Sequence, residues 1–256
     1  MDSMAVGDDD LAQRLGRAAT GTPRAHPSGP ADRAPGPPAR DEEVEVPAGP
    51  DRVLAGHLLL PQDPAGLVVF AHGSGSSRHS PRNRYVASVL TAAGLGTLLF
   101  DLLDPNEERD RSKVFDVPLL AERLHLVTRW LRAQPATSAL PIGYFGASTG
   151  AAAALWASAD DEDIRAVVSR GGRPDLAGPR LAAVRAPTLL IVGGNDREVL
   201  QLNRRAQTLL RTRNALEVVP GAGHLFEEPG TLQRAAELAR DWFLAYLAAE
   251  YTTPTR

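Results

Sequence analysis

A serine flanked by glycines is the residue of this sequence best suited to nucleophilic chemistry. Ser148 is the central residue of GASTG (146–150), which follows an apolar run and precedes an alanine-rich segment typical of a helix. A Gly-x-Ser-x-Gly pattern between a strand and a helix predicts a sharp turn that presents the serine oxygen to a cleft. The glycines fit this prediction because a Cβ two residues to either side of Ser148 would crowd the turn. The alternative is a small residue at an ordinary strand–helix junction.

Two later residues could act as a base and its orienting acid. Asp196 closes the apolar run PTLLIVGGND (187–196), and His224 closes the next strand-like run, ALEVVPGAGH (215–224). The order Ser, Asp, His is the one that accompanies a serine on a strand-to-helix turn. We expect His224 to accept the Ser148 proton and Asp196 to fix the tautomer of the ring. The alternatives are a helix N-cap for Asp196 and an ordinary loop histidine at position 224.

A glycine-rich loop after an earlier strand could bind the oxyanion of an acyl-transfer reaction. His72, Gly73, Ser74 and Gly75 directly follow an apolar run. We expect the backbone N–H groups of Ser74 and Thr149 to bind the developing negative charge. His72, Gly73 and Gly75 would then line the substrate site. His72 is expected to support this loop rather than to act as a second base.

Two arginines at the end of a later strand have two possible roles. Arg170 and Arg173 could clamp a carboxylate or phosphate of the substrate. They could equally pair with Asp175 or Asp104 and brace the loops. The acidic segment 100–116 could cover the site or pair with these arginines, but its composition favours a solvated charged loop.

The elements around these residues alternate between strand and helix. Two alternating stretches that begin near residue 42 and flank a Pro-Gly turn predict an antiparallel hairpin. Six continuous apolar runs then alternate with helical segments; the runs are 66–73, 96–103, 141–148, 164–172, 187–196 and 215–224. This pattern predicts an α/β fold with a mostly parallel central sheet and helices on both faces. Ligands of such sheets bind at the carboxyl ends of the strands, where the candidate residues lie.

The composition argues against several kinds of protein and site. The 256 residues include 28 Lys and Arg against 31 Asp and Glu, which lacks the basic surplus of a nucleic-acid binder. No apolar run reaches the ~18 residues of a membrane span. The absence of cysteine excludes disulfides and thiolate metal sites. With no metal or nucleotide pattern we expect no cofactor, and with no export signal we expect a cytoplasmic location.

The first forty residues differ from the rest of the chain. Residues 1–40 are rich in Pro, Ala and Arg and contain few large apolar side chains. Such a segment cannot bury enough apolar surface to offset its ordering entropy. We therefore predict a disordered tail over residues 1–40 and one folded domain over residues 41–252. The sequence leaves the oligomeric state open.

Three longer strings carry a resemblance to a known family. They are AHGSGSSRHSPRNRYVA, GYFGASTGAAAALWAS and VVSRGGRPDLAG. With the hairpin and the order of Ser148, Asp196 and His224, they resemble the α/β-hydrolase superfamily. Within it the chain is similar to the small dienelactone hydrolase-like bacterial proteins, some of which are fused to a phosphoribosyltransferase domain. The resemblance implies an α/β-hydrolase fold over residues 42–247, and the short connection before Asp196 implies that no large cap domain is present.

The nucleophile departs from the pattern of this family. Dienelactone hydrolases proper use a cysteine, whereas this chain has none and presents Ser148. The substitution favours hydrolysis of a small carboxylic ester or thioester through an acyl-enzyme. Two alternatives remain: a non-catalytic binding or regulatory module on the same fold, and an acyltransferase that uses the same three residues.

Overall fold

The structure is a computed structural model that describes residues 39–49 and 52–248. The predicted tail lies outside these residues except for its last two positions, and so does the end of the predicted domain, 249–252. The predicted boundaries of the tail and of the folded domain stay predictions.

One eight-stranded sheet forms the centre of the described part. Its strands are β1 (Arg40–Pro47), β2 (Val53–Leu60), β3 (Leu67–Ala71), β4 (Gly96–Phe100), β5 (Ile142–Ala147), β6 (Ile164–Arg170), β7 (Thr188–Gly193) and β8 (Asn214–Val219). Their order across the sheet is β1-β2-β4-β3-β5-β6-β7-β8. β2 pairs antiparallel with β1 and β4, and the other neighbouring strands run parallel. The predicted hairpin and mostly parallel sheet are confirmed.

Helices cover both faces of this sheet, as predicted. They are α1 (Pro81–Ala92), α2 (Arg111–Val114), α3 (Val117–Ala133), α4 (Thr149–Asp160), α5 (Arg197–Leu209) and α6 (Thr231–Leu247). α1 and α6 pack on one face, and α3, α4 and α5 pack on the other. Two 3₁₀ segments, Glu107–Arg109 and Pro174–Ala183, complete the connections.

The central strands are apolar along their whole length because both of their faces are buried. In β5 the adjacent residues Tyr144 and Phe145 are fully buried and point into different hydrophobic clusters. The Phe145 ring lies 4.8 Å from the ring of Phe70 in β3. The Tyr144 hydroxyl and the Thr128 hydroxyl of α3 share a hydrogen bond of 2.6 Å, which satisfies both buried groups.

The carboxyl ends of the parallel strands share one edge of the sheet. β5, β6, β7 and β8 are successive neighbours, so the loops that follow them lie side by side. The connection from β6 to β7 holds only the short 3₁₀ segment, and residues 39–49 and 52–248 include no cap domain. The candidate residues are therefore brought together at an edge that short loops surround.

Candidate active site

Ser148 occupies a strained backbone conformation between β5 and α4. Its φ of 50° and ψ of −122° are unusual for any residue other than glycine. A Cβ on Gly146 would lie 2.4 Å from Ala151 Cα, and a Cβ on Gly150 would lie 2.2 Å from Ala71 O. The glycines of the motif are therefore required by backbone contacts on both sides of the turn.

The neighbouring strand β6 holds this turn through its backbone. The Ser148 N–H donates to Arg170 O at 3.3 Å, and Ser148 O accepts from the Arg173 N–H at 3.0 Å. Main-chain contacts of this kind leave no mark in residue types, so sequence analysis had no means of finding them. They fix the turn at the end of the sheet independently of the arginine side chains.

Asp196 and His224 form a hydrogen-bonded pair at the ends of β7 and β8. His224 Nδ1 lies 2.7 Å from Asp196 Oδ2. Because a carboxylate only accepts, Nδ1 carries the proton and Nε2 is left as the acceptor. The Asp196 side chain is 14% exposed and the His224 side chain 39% exposed. The pair has the geometry of a base that is oriented by an acid. Asp196 also directly precedes α5, but its side chain makes no capping hydrogen bond to that helix.

The loops that carry these two residues are bonded to each other. The Gly194 N–H donates to Val219 O, and the Asn195 N–H donates to Ala222 O, both at 2.9 Å. The Asn195 side-chain amide donates to Gly221 O at 2.8 Å. The backbone and the side chain of Asn195 thus both join the loop of Asp196 to the loop of His224.

A carboxylate holds the peptide just before the candidate base. Both carboxylate oxygens of Glu228 accept from the Gly223 N–H at 3.0 Å. This backbone hydrogen bond lowers the pKa of Glu228 below its ordinary value. Sequence analysis did not single out Glu228, although a Glu that closely follows a Gly-Ala-Gly-His turn is a possible turn partner.

Ser148 and His224 line one cavity of about 230 Å³. Ser74, Arg82 and Arg170 line the same cavity. Among the described contacts no hydrogen bond joins Ser148 Oγ to His224 Nε2. Such bonds are often long before substrate binds and tighten in the Michaelis complex.

His72 supports the glycine-rich loop through both of its ring nitrogens. Nε2 lies 3.0 Å from the Leu102 N–H, and Nδ1 lies 3.0 Å from Gly73 O. A backbone N–H only donates, so Nε2 accepts and Nδ1 carries the proton. Burial lowers the pKa of His72 below its ordinary value, which keeps the ring neutral. Both nitrogens are occupied, so the ring has no atom left for a second base.

The two predicted oxyanion donors differ in their present partners. Thr149 begins α4, and N–H groups in the first turn of a helix have no partner within it and favour negative charge. The Ser74 N–H, in contrast, donates to Thr149 Oγ1 at 2.9 Å. The Thr149 N–H therefore has no partner within the helix, as expected of an oxyanion donor. The Ser74 N–H would have to break its hydrogen bond to Thr149 Oγ1 before it could bind an oxyanion.

The two loop glycines have different structural roles. A Cβ on Gly73 would lie 3.0 Å from Ser148 Cβ, so the loop passes close to the candidate nucleophile. Gly75 has a φ of 68°, a left-handed conformation that favours glycine. Both also line a second cavity of about 290 Å³ next to the first.

Most charged side chains of the acidic segment 100–116 are exposed, as its composition favours, but Glu107 is buried. Glu107 is 4% exposed. Its Oε1 accepts from Arg123 Nη2 at 3.1 Å and lies 3.3 Å from Arg52 Nη1. Leu102 and Val114 from this segment line the second cavity. The interpretation as a solvated loop is therefore wrong for Glu107, which ion pairs with Arg52 and Arg123 hold inside, whereas Glu108, Asp110 and Asp116 are exposed.

The two candidate arginines have different surroundings. Arg173 donates to both oxygens of Asp175, at 2.9 and 2.8 Å, and so has the bracing role. Asp104 pairs with Arg52 instead. Arg170 is 7% exposed, lines the cavity beside Ser148, and has no carboxylate partner among the described residues.

The described residues include no cluster of three or more side chains that could hold a metal ion. None of the described helices is long and apolar enough to cross a membrane. The predicted cytoplasmic location stays a prediction.

Comparison with solved structures identifies the fold and the family. No protein-family model matches the chain. A dienelactone hydrolase from Anabaena variabilis is 53% identical, with a TM-score of 0.79 over 82% of this chain and 99% of that one. An α/β serine hydrolase homologue from Coxiella burnetii is 20% identical, with a TM-score of 0.66 over 79% of this chain and 96% of that one, and shows the fold alone. The sheet order and the turn at Ser148 are those of an α/β-hydrolase. The chain belongs to the dienelactone hydrolase-like family within that superfamily.

A curated relative is longer than this chain. A protein of Mycobacterium tuberculosis (strains CDC 1551 and H37Rv) that is named "Putative phosphoribosyl transferase" is 63% identical over 243 residues. The match covers 94% of this chain and 54% of the relative, so the chain spans about half the length of the curated relatives that it matches. This agrees with the resemblance to proteins that are fused to a phosphoribosyltransferase domain.

Proposed function

We propose that the chain is a serine hydrolase that cleaves a small carboxylic ester or thioester through Ser148, His224 and Asp196. The observation that carries the proposal is the strained turn that presents Ser148 to the cavity that His224 also lines. The hydrogen bond from His224 to Asp196 supports it further. The similar structure from Anabaena variabilis is a dienelactone hydrolase, which supports hydrolysis in general.

In the first step the serine is acylated. Ser148 Oγ attacks the carbonyl carbon while its proton passes to His224 Nε2. The Thr149 N–H at the start of α4 stabilises the oxyanion. The tetrahedral intermediate then collapses, the bond from carbon to the leaving oxygen or sulfur breaks, and the leaving group takes the proton from His224.

In the second step water releases the acid. His224 removes a proton from water, and the hydroxide attacks the acyl carbon. Collapse of the second intermediate breaks the bond to Ser148 Oγ, which recovers its proton from His224. Asp196 stabilises the imidazolium in both steps and remains ionised.

The name of the longer relative fits this proposal if phosphoribosyl transfer belongs to the length of that relative that this chain does not match. We assign hydrolysis to the part that matches this chain and phosphoribosyl transfer to the remaining length of that relative. The small-molecule ester or thioester is then the substrate of this chain, and the proposed reaction needs no cofactor.

Labelling with a fluorophosphonate probe tests the proposal, because such probes react with activated serines. We expect labelling of the wild type and none of Ser148→Ala or His224→Ala. His125→Gln is the matched control, since His125 lies on α3 near Asp160, outside the cavity. A panel of nitrophenyl esters and thioesters would then define the substrate, and product analysis with added alcohols would detect acyl transfer.

A folded wild type that is not labelled would refute the proposal and favour a binding module. Labelling that persists in Ser148→Ala would show that another serine reacts. Labelling of the wild type, with transfer to alcohols exceeding hydrolysis, would instead identify an acyltransferase.

A further inference from the structure

A buried arginine without an acidic partner lies beside the proposed nucleophile. Arg170 ends β6 and is 7% exposed. Its Nε and Nη1 atoms are buried and have no hydrogen-bond partner within residues 39–49 and 52–248. Its Nη2 makes only a long bond of 3.4 Å to Asn83 Oδ1. The ring of Phe226, 5.7 Å from the guanidinium carbon, gives it a partial cation–π contact.

Another buried arginine of this chain is paired. Arg123 is 5% exposed, and it donates to the buried carboxylate of Glu107 at 3.1 Å. Arg170 has Arg82 nearby, which adds positive charge. Burial, and then Arg82, lower the pKa of Arg170 to about 10, so the side chain remains charged at neutral pH. A buried charge without a partner is costly, so an anion from outside the chain would stabilise it.

The unpaired nitrogens belong to a residue that lines the cavity of Ser148 and His224. Arg82 lines this cavity too, with a side chain that is 34% exposed and 3.3 Å from Glu227. Two arginines, one buried and one partly exposed, thus line the cavity that Ser148 also lines. Guanidinium groups are well suited to binding carboxylate and phosphate oxygens.

The position of His224 indicates which part of the substrate occupies this cavity. His224 must give its proton to the leaving group, so the leaving group lies on its side of the reacting carbon. The neighbouring cavity of about 290 Å³ contains Thr149 but not His224, and apolar side chains contribute to its wall, including Leu102 and Leu103. That cavity suits the acyl chain.

We propose that the leaving group of the substrate carries an anionic oxygen group, a carboxylate or a phosphate, which Arg170 binds with Arg82. The inference rests on the proposed function, because it describes the alcohol or thiol part of the same ester. The anion would neutralise a buried charge for which the described residues supply no acidic partner. Specificity for a charged leaving group follows, since a neutral one would leave this buried charge unpaired.

Three esters with the same acyl chain test the proposal. 4-(Butyryloxy)benzoate and 4-(butyryloxy)phenyl phosphate carry the anion, and 4-(butyryloxy)benzamide is the neutral counterpart of the benzoate. We expect kcat/KM of the wild type to be about 10-fold or more higher for an anionic ester than for the amide. Arg170→Gln should remove this preference, and Arg82→Gln should reduce it. Arg84→Gln removes a charge from the exposed side of α1 and should keep the preference.

The kcat/KM values of the three esters also distinguish a carboxylate from a phosphate. A preference for the benzoate alone would identify a carboxylate, and one for the phosphate alone would identify a phosphate group. Equal rates for all three esters in a wild type that the fluorophosphonate labels would overturn the anion site and leave the hydrolase intact. If Arg170→Gln does not fold, the single variants Arg82→Gln and Arg170→Lys are measured instead. A preference for the anionic esters that is unchanged in both variants would overturn the anion site.

Binding separates the anion site from the chemistry. Ser148→Ala is titrated calorimetrically with 4-hydroxybenzoate, inorganic phosphate and 4-hydroxybenzamide. Binding of either anion that is lost when Arg170→Gln is added supports the site, even if the wild type hydrolyses nothing and the proposed function fails. No binding of either anion, or binding that survives Arg170→Gln, overturns it.

Discussion

The backbone of Ser148 provides a direct test of strain at the candidate site. Its φ of 50° and ψ of −122° lie in a region that glycine adopts readily and other residues avoid. Ser148→Gly and Ser148→Ala both remove the hydroxyl and so abolish the proposed chemistry. They differ only in the Cβ, and this difference isolates the backbone strain.

The expected difference follows from two opposing effects. Backbone strain at functional sites costs about 1–3 kcal/mol, and Ser148→Gly relieves it. Glycine also gains entropy in the unfolded chain, which costs about 0.5–1 kcal/mol relative to alanine. We therefore expect Ser148→Gly to be about 1 kcal/mol more stable than Ser148→Ala.

Urea unfolding of the two variants measures this difference. The matched control is the same pair at Ser88, an exposed residue within α1, where glycine should be about 1 kcal/mol less stable than alanine. If the Ser148 pair shows the same sign as the Ser88 pair, the strain at the turn is smaller than the entropy cost of glycine, and this argument for a nucleophile's turn fails.

Two further predictions concern residues around the site. His72 is neutral in the fold and its pKa is lowered, so the unfolded state binds more protons below about pH 6.5. The contribution of His72 to the free energy of unfolding should be complete above that pH and fall by up to about 1.4 kcal/mol per pH unit below it. Urea unfolding at several pH values should show a smaller slope for His72→Gln than for the wild type. Equal slopes in the two proteins would contradict the prediction. Removal of the buried Glu107 carboxylate in Glu107→Ala should destabilise the protein by about 3 kcal/mol or more, because Arg123 is left buried and unpaired. The exposed variant Glu227→Ala is the control in the same measurement, and an equal loss in both would contradict this explanation.

The sequence was sufficient for the features that local pattern encodes. Continuous apolar runs predicted the parallel strands, since a strand that is buried on both faces must be apolar throughout. Strand ends then indicated where Ser148, Asp196 and His224 would lie, because parallel neighbours end at one edge. The hydrogen bond between His224 and Asp196 agrees with the roles expected from their order.

Features that depend on distant partners could not be predicted in this way. The burial of Glu107 in the otherwise largely exposed segment 100–116 was not predicted, because its pairing with Arg123 and Arg52 joins residues from three parts of the chain. The bond from Ser74 N–H to Thr149 Oγ1 depends on the exact approach of two loops. The sequence also left Arg170 undecided between bracing and binding, since only the folded chain reveals which carboxylates reach it.

The bonds between the loops after β7 and β8 reduce the number of independent motions in the site. Ser148, Asp196 and His224 come from three strands, but Asn195 joins the acid and base loops through its N–H and its side chain. Acid and base should therefore move as one body, and the turn at Ser148 as a second. A single relative displacement would then control the distance of the proposed proton transfer from Ser148 to His224. Heating should weaken the proposed reaction through that displacement before the pair of His224 and Asp196 separates.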